Sequence, residues 1–266
     1  MTEAPADISC LRGFSALEIA LVLLVVGLLL AGGLGALRAG ANAIEISTAE
    51  AFQEQVASQL IEFARANHRL PCPDSNVDGL EDDCSSSTIR TGGVPYYSLG
   101  MEPGSTIANT STGIENLMYG VYRNSTAGSA GNGGADLSIL DERTGDAQGD
   151  AGYRNREDFR QALRNAGSEL VDNGVTASEI YVTGDGQTSG DENCQTNQVA
   201  NMAFVLISSG ATDMDGSGGR FDGLNDAWRK DGSGALCASS PNKRKNAGYD
   251  DKVLAYNFDA LLGELN

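Results

Sequence analysis

The feature that most constrains this chain is a run of 19 residues without a charge, Ile19 to Leu37. As a helix rising about 1.5 Å per residue, it extends roughly 28 Å, close to the thickness of a bilayer's hydrocarbon core. Before it stand a short polar leader, Met1 to Gly13, then Phe14-Ser15-Ala16-Leu17, then a single carboxylate, Glu18, at the lip of the apolar run. An acid in a spanning helix costs on the order of 2 to 3 kcal/mol at the bilayer centre and less near an interface, so such a residue usually marks a function.

Three kinds of segment share this outline. A secretory signal peptide would use the small-x-small pattern Ala41-Asn42-Ala43 and be cut after Ala43, but the apolar run exceeds the usual 7 to 15 residues and Glu18 interrupts its start. A plain signal anchor leaves Glu18 without a role. The third kind accounts for the acid: Arg12-Gly13-Phe14-Ser15-Ala16-Leu17-Glu18 resembles the cleavage and methylation site of type IV prepilins and type II secretion pseudopilins. The leader departs from that family's basic one, since Glu3 and Asp7 accompany Arg12.

The resemblance implies that a prepilin peptidase cuts after Gly13 on the cytoplasmic side and methylates Phe14, leaving Glu18 as the fifth mature residue. It also implies a single-pass inner-membrane precursor with its head in the periplasm. Assembly machinery in that membrane would then deliver the subunit to a filament of other pilin subunits. There the Glu18 carboxylate would neutralise the amino terminus of a neighbouring Phe14, and a buried acid beside a matching cation is far less costly than an orphan. The competing function is a membrane-anchored periplasmic or extracellular binding module, in which the helix is only a tether.

Downstream, no proline interrupts the chain from Leu37 to Leu70, and Phe52, Val56, Leu60 and Phe63 recur at helical steps. This predicts one helix over 14–67, with 19–37 in the membrane or filament core. Gly35 with Ala39 and Ala36 with Gly40 form small-xxx-small pairs that let helices approach closely. Leu70-Pro71-Cys72-Pro73 ends helical continuation. The organisation expected is therefore a leader over 1–13, a helix over 14–67 and a globular exported head over 68–266.

Short aliphatic and aromatic runs between turn clusters predict strands over Asn116 to Tyr122, Glu179 to Thr183, Met202 to Ser208 and Val253 to Phe258. A second helix is expected over Glu157 to Val171, where Phe159, Leu163, Ala166 and Leu170 share a face. The fold class expected is α+β. Its pilin-like form is a long N-terminal helix packed on an antiparallel sheet, with a loop-rich, disulfide-bonded head.

Composition narrows the partners. Eighteen Lys and Arg against 36 Asp and Glu leave a net charge of -18, which repels phosphate backbones, so nucleic acid is not indicated. Four of the five cysteines, Cys72, Cys84, Cys194 and Cys237, follow the apolar segment, and that even number suits an oxidising compartment. Cys10 lies in the leader. Three pairings of the four are open, and the shorter closures favour Cys72 with Cys84 and Cys194 with Cys237.

Two acidic stretches carry calcium-like spacing. Asp74-Ser75-Asn76-Val77-Asp78-Gly79 places oxygen side chains at alternate positions before a turning glycine, as hard Ca2+ requires. Asp213-Met214-Asp215-Gly216-Ser217-Gly218 repeats the pattern, with Asp222 and Asp226 as further donors downstream. Asp, Asn and Gly also make turns without any ion. If calcium binds, its expected role is structural, as in some pseudopilins, and a Cys72–Cys84 bridge enclosing the first loop would favour that site.

Nothing in the chain points to catalysis. The one histidine, His68, falls at the expected helix end, and no HExxH, phosphate-cradling or nucleophile-elbow motif is present, so no enzyme is expected. Asn109-Thr110-Ser111 and Asn124-Ser125-Thr126 match the short glycosylation pattern.

Overall fold

The computed structural model describes residues 16–102, 116–124, 134–146, 154–168, 180–183, 192, 198–210, 212–228 and 236–265, with the side chains of 29–49 and 198–201 outside that description. The backbone forms two compact units, Met1–Ile46 and Ser47–Asn266. Helix α1 (Ala16–Asn67) contributes to both. Among the described residues no helix is long and apolar enough to cross a membrane. The expected spanning segment, 19–37, continues past residue 28 into positions whose side chains are not described. Gly13 and Phe14 also lie outside the described residues.

Within the second unit, Phe52, Val56, Ala57, Leu60, Ile61 and Ala64 of α1 are all buried. Their spacing of one, three and four residues gives the single apolar face of an amphipathic helix. Each fully buried aliphatic or aromatic side chain here contributes about 1.5 to 3 kcal/mol relative to exposure. Polar ties hold the same stretch in register: Gln53 Nε2 donates to Lys252 O at 2.9 Å, and Arg65 Nε donates to Glu264 O at 3.0 Å. The helix stops at Asn67 because His68 turns into the left-handed region, φ 55°, ahead of the two prolines.

The head is α+β. Its sheet is built from β1 (Thr91–Gly93), β2 (Met118–Val121), β6 (Gln198–Ser208) and β8 (Lys252–Asn257), joined antiparallel in the order β1-β2-β6-β8. The first half of β6 also pairs antiparallel with β5 (Tyr181–Thr183), which carries β7 (Cys237–Ala238) parallel on its far edge. A separate two-stranded ribbon joins β3 (Arg123–Asn124) to β4 (Ala135–Asp136).

Alternation along the strands gives the sheet two covered faces. Tyr119, Val121, Phe204 and Leu206 pack with the apolar face of α1. Met118, Val205 and Ile207 point the other way, onto Trp228 and the partly buried Phe221. The segment around Phe221 and Trp228 is thus a strap across the second face. Helix α2 (Arg156–Ser168) buries Phe159, Leu163 and Ala166 and packs against β4 and α3 (Phe258–Glu264). Asn257 caps α3 by accepting from Ala260 N at 2.7 Å.

The expected strands and second helix recur within a few residues, except that the last strand yields to α3 at Phe258. Strands β1, β3, β4 and β7 come from segments with no strand pattern of their own. Cys72 and Cys84 form a disulfide. Cys237 is disulfide-bonded as well, and Cys194, its expected partner, lies outside the described residues.

Candidate metal centre

Because β6 and β8 are antiparallel with Ser208 opposite Lys252, the residues just after β6 and just before β8 leave the sheet together. Ser209 and Gly210 therefore meet Asp250 and Asp251. The strap returns to the same place, bringing in Asp222 at the start of a 3-10 turn, Gly223–Ala227. The carboxylates of Asp222, Asp250 and Asp251 are all buried, with ligand oxygens within 4.8 Å of one another.

Most of their hydrogen-bonding capacity fastens backbone to backbone. Asp222 Oδ1 accepts from Met214 N at 2.8 Å and Asp215 N at 3.3 Å, and its Oδ2 accepts from Asp250 N at 2.8 Å. Asp251 Oδ1 accepts from Gly210 N at 3.1 Å, while its Oδ2 accepts from Asp222 N at 2.8 Å and Asn225 Nδ2 at 3.0 Å. Asp250 Oδ2 faces Lys245 Nζ and the Thr212 hydroxyl, 3.3 and 3.4 Å away. Asp250 Oδ1 is buried without a hydrogen-bond partner. Glycine is required at 210, since a Cβ there would collide with the Asp250 carboxylate.

The electrostatics follow from that crowding. Burial pushes the Asp251 carboxyl up to about 6, against hydrogen bonds that favour its charge, and Asp222 adds repulsion. Burial also raises Asp250, with Lys245 opposing. Beneath them the Tyr249 phenol, which accepts from Asn225 Nδ2 at 3.1 Å, is pushed up by burial.

Asp213 and Asp215 approach the same centre from its exposed side and form a second group with Asp222. Their oxygens are occupied by the turn. Asp213 accepts from Gly216 N and Gly218 N at 2.7 and 2.9 Å. Asp215 accepts from Gly223 N at 2.7 Å and Ser217 N at 2.8 Å, bonds that hold its carboxyl down at about 2.

The first acidic loop is arranged differently. The Asp74 carboxylate turns onto its own loop, accepting from Val77 N at 2.6 Å, Asp78 N at 3.2 Å and Gly79 N at 2.7 Å. Asn76 and Asp78 bond to each other, Nδ2 to Oδ2 at 3.0 Å. Arg69 closes the loop's base through a two-pronged pair with Glu81, at 2.7 and 2.8 Å. Backbone donors thus supply what an ion would supply to Asp74. Among the described residues Asp213 and Asp215 belong, with Asp222, to an acidic group that could hold a metal ion.

A third group, Glu142, Asp146 and Asp158, sits at the start of α2. Asp158 there accepts from Arg143 N, Thr144 N and Asn155 N at 2.7, 3.0 and 2.9 Å.

The sequence reading had Asp222 as a donor but passed over Asp250 and Asp251. The available signal was two adjacent acids immediately before the last apolar strand, a place where an ordinary turn would need no second charge. Of the remaining expected residues, Glu18 lies in the first turn of α1. Asn109, Thr110 and Ser111 lie outside the described residues, and Asn124 ends β3. No family model, curated protein or solved structure matches this chain.

Proposed function

We propose that the protein is a prepilin: a structural, non-catalytic subunit of a type IV pilus-like or type II secretion pseudopilus filament. The observation that carries this reading is the surface of α1 beyond Glu18. Every described side chain from 16 to 28 is exposed, from Leu17 at 75% to Leu28 at 67%, and Glu18 is the one charge among them. Apolar area of this extent needs lipid or other subunits to cover it. A prepilin uses both in turn, spanning the inner membrane first and packing into a helical bundle afterwards.

The prepilin-like site at Gly13 and Phe14 supplies the release from the leader, and Glu18 supplies the partner for a neighbour's new amino terminus. The pilin-like arrangement would set the long helix against the antiparallel sheet through Phe52 to Ala64. A disulfide in the head supports export to an oxidising compartment. The acidic head would hold structural Ca2+, with Asp213, Asp215 and Asp222 as oxygen donors of the kind that ion takes.

The test compares the amino-terminal sequence and intact mass of envelope protein from cells with and without prepilin peptidase. A mature chain beginning at methylated Phe14, only when the peptidase is present, is the expected result. A start at Asn42 or later, or Met1 retained in both strains, leaves a secreted or merely anchored binding module. Glu18→Leu separates filament from tether as well: a subunit loses assembly while keeping membrane insertion, whereas a tether is unaffected.

A further inference from the structure

We propose that the arginine face of α2 docks on the loop tip formed by Val77, Asp78, Leu80 and Tyr97 of a second copy of this chain. This rests on the reading of the protein as a filament subunit and names the head surfaces that would meet.

Four of the chain's 18 Lys and Arg fall on or just before α2, at Arg154, Arg156, Arg160 and Arg164. The last three recur every four residues, so they follow one stripe of the helix at intervals of about 6 Å. Arg154, Arg156 and Arg164 are exposed and Arg160 is partly buried, while Phe159, Leu163 and Ala166 turn inward. Glu157 stands 3.9 Å from Arg156 and 3.3 Å from Arg160. Asp158, the other acid of that turn, is buried and accepts from the backbone N–H groups of Arg143, Thr144 and Asn155. Arg154 and Arg164 make no ion pair among the described residues. Cations at the N-terminus of a helix oppose its dipole, so Arg154 and Arg156 do not serve the helix itself.

The charge of the whole chain says what such a face meets. At a net charge of -18 two copies repel each other over most approaches, and an arginine face set against an acidic surface turns that repulsion into attraction. The loop tip supplies the acids and something more. Val77, Leu80 and Tyr97, at 48, 52 and 49% exposure, are the large apolar side chains left uncovered in the second unit among the described residues. Asp78 and Asp83 are exposed in the same loop. A guanidinium suits this mixture, because it pairs with carboxylates two-pronged and stacks on an aromatic ring. The tip is also held in advance by the Cys72–Cys84 disulfide and by the Asp74 bonds to Val77 N and Gly79 N, so docking freezes little. Each chain carries one such face and one such tip, and the contact can therefore repeat from chain to chain.

The experiment uses the full chain in phosphatidylcholine vesicles, where no anionic lipid competes for the arginines. Normal and heavy-isotope chains are mixed, each with a photoreactive phenylalanine in place of Tyr97, and mass spectrometry reads the cross-linked peptides. Mixed-isotope pairs joining position 97 to residues 154–168 are expected, and they should diminish as salt rises. Arg156→Glu with Arg164→Glu should cut their yield by at least about tenfold, since like charges then face each other. This variant should unfold no lower than the parent, because an acid at position 156 suits the helix N-terminus. Leu80→Arg with Asp83→Ser should cut the yield likewise. Mixing the two variants should restore one kind of pair, the intact tip of the first with the intact α2 face of the second, so neither loss is a folding defect. The proposal is overturned by cross-links within single chains or to lipid only, by unchanged yield in either variant, or by no recovery on mixing. Any of these leaves the processing test of the amino terminus untouched.

Discussion

Arg123 and Asp136 face each other across the β3–β4 ribbon as a buried ion pair, with Nη2 2.9 Å from Oδ2. The guanidinium does more than neutralise one acid. It also donates to Cys84 O at 2.6 Å, Ser87 O at 3.0 Å and Ile89 O at 2.8 Å. One side chain thus ties the end of the disulfide loop and the segment before β1 to the ribbon. Replacing Arg123 by Met strands a buried carboxylate and three carbonyls, and should cost about 3 to 5 kcal/mol in urea unfolding. The double variant Arg123→Met, Asp136→Leu should cost less than the two single changes added.

The Cys72–Cys84 disulfide closes a loop with a sequence separation of 12. A closure of that length stabilises by about 3 kcal/mol through the unfolded state. Cys72→Ser with Cys84→Ser should lower stability by this amount relative to the oxidised parent. The Asp74 turn should still form, since its backbone bonds stay within 74–79. Amide exchange at Val77 and Gly79 reports on the turn, and full loss of protection there would contradict the expectation.

Asp158 supplies an acid-sensitive contribution. Burial opposes its charge, but hydrogen bonds from Arg143, Asn155 and Thr144 prevail and hold the carboxyl below its ordinary value. A depressed carboxylate contributes stability above its unfolded pKa and loses it as pH falls through the folded value. Asp158→Asn should therefore be less stable than the parent near neutral pH, and the gap between their urea midpoints should narrow below about pH 4. A gap that stays constant into acid would show that Asp158 acts by shape alone.

Gly120 sits under the chain's one tryptophan. A Cβ there would approach Trp228 Cζ3 to 2.6 Å, inside contact distance. Trp228 is 2% exposed, and its Nε1 donates to Cys237 O at 2.8 Å. Gly120→Ala should displace the ring and cost about 1 to 3 kcal/mol. Tryptophan emission provides the readout: a red shift is expected, and an unchanged spectrum with unchanged stability would refute the close contact.

The stretches legible in the sequence are those whose own pattern suffices. Phe52, Val56 and Leu60 announce a helix face by spacing alone, and Met202 to Ser208 announce a strand covered on both sides. Thr91-Gly92-Gly93 had no such signal. Glycine lacks the side chain that marks a strand, and the segment is a strand because Gly92 lets the backbone of Asp74 come close, where a Cβ would stand 2.7 Å from Asp74 O. Apolar residues resume at Phe258 straight after Asn257, and the Asn257 cap marks the change from strand to helix.

The sequence by itself determined the apolar segment with its single acid, the helix end before Pro71, the main strands of the sheet and the acidic character of the head. Each depends on neighbours within a few positions. What only the tertiary structure decided is which acids meet. Asp74 spends its oxygens on its own loop, while Asp222 finds Asp250 and Asp251 from 28 and 29 positions away. Pairing of β6 with β8 sets that encounter, and no local spacing encodes a contact made by strand register.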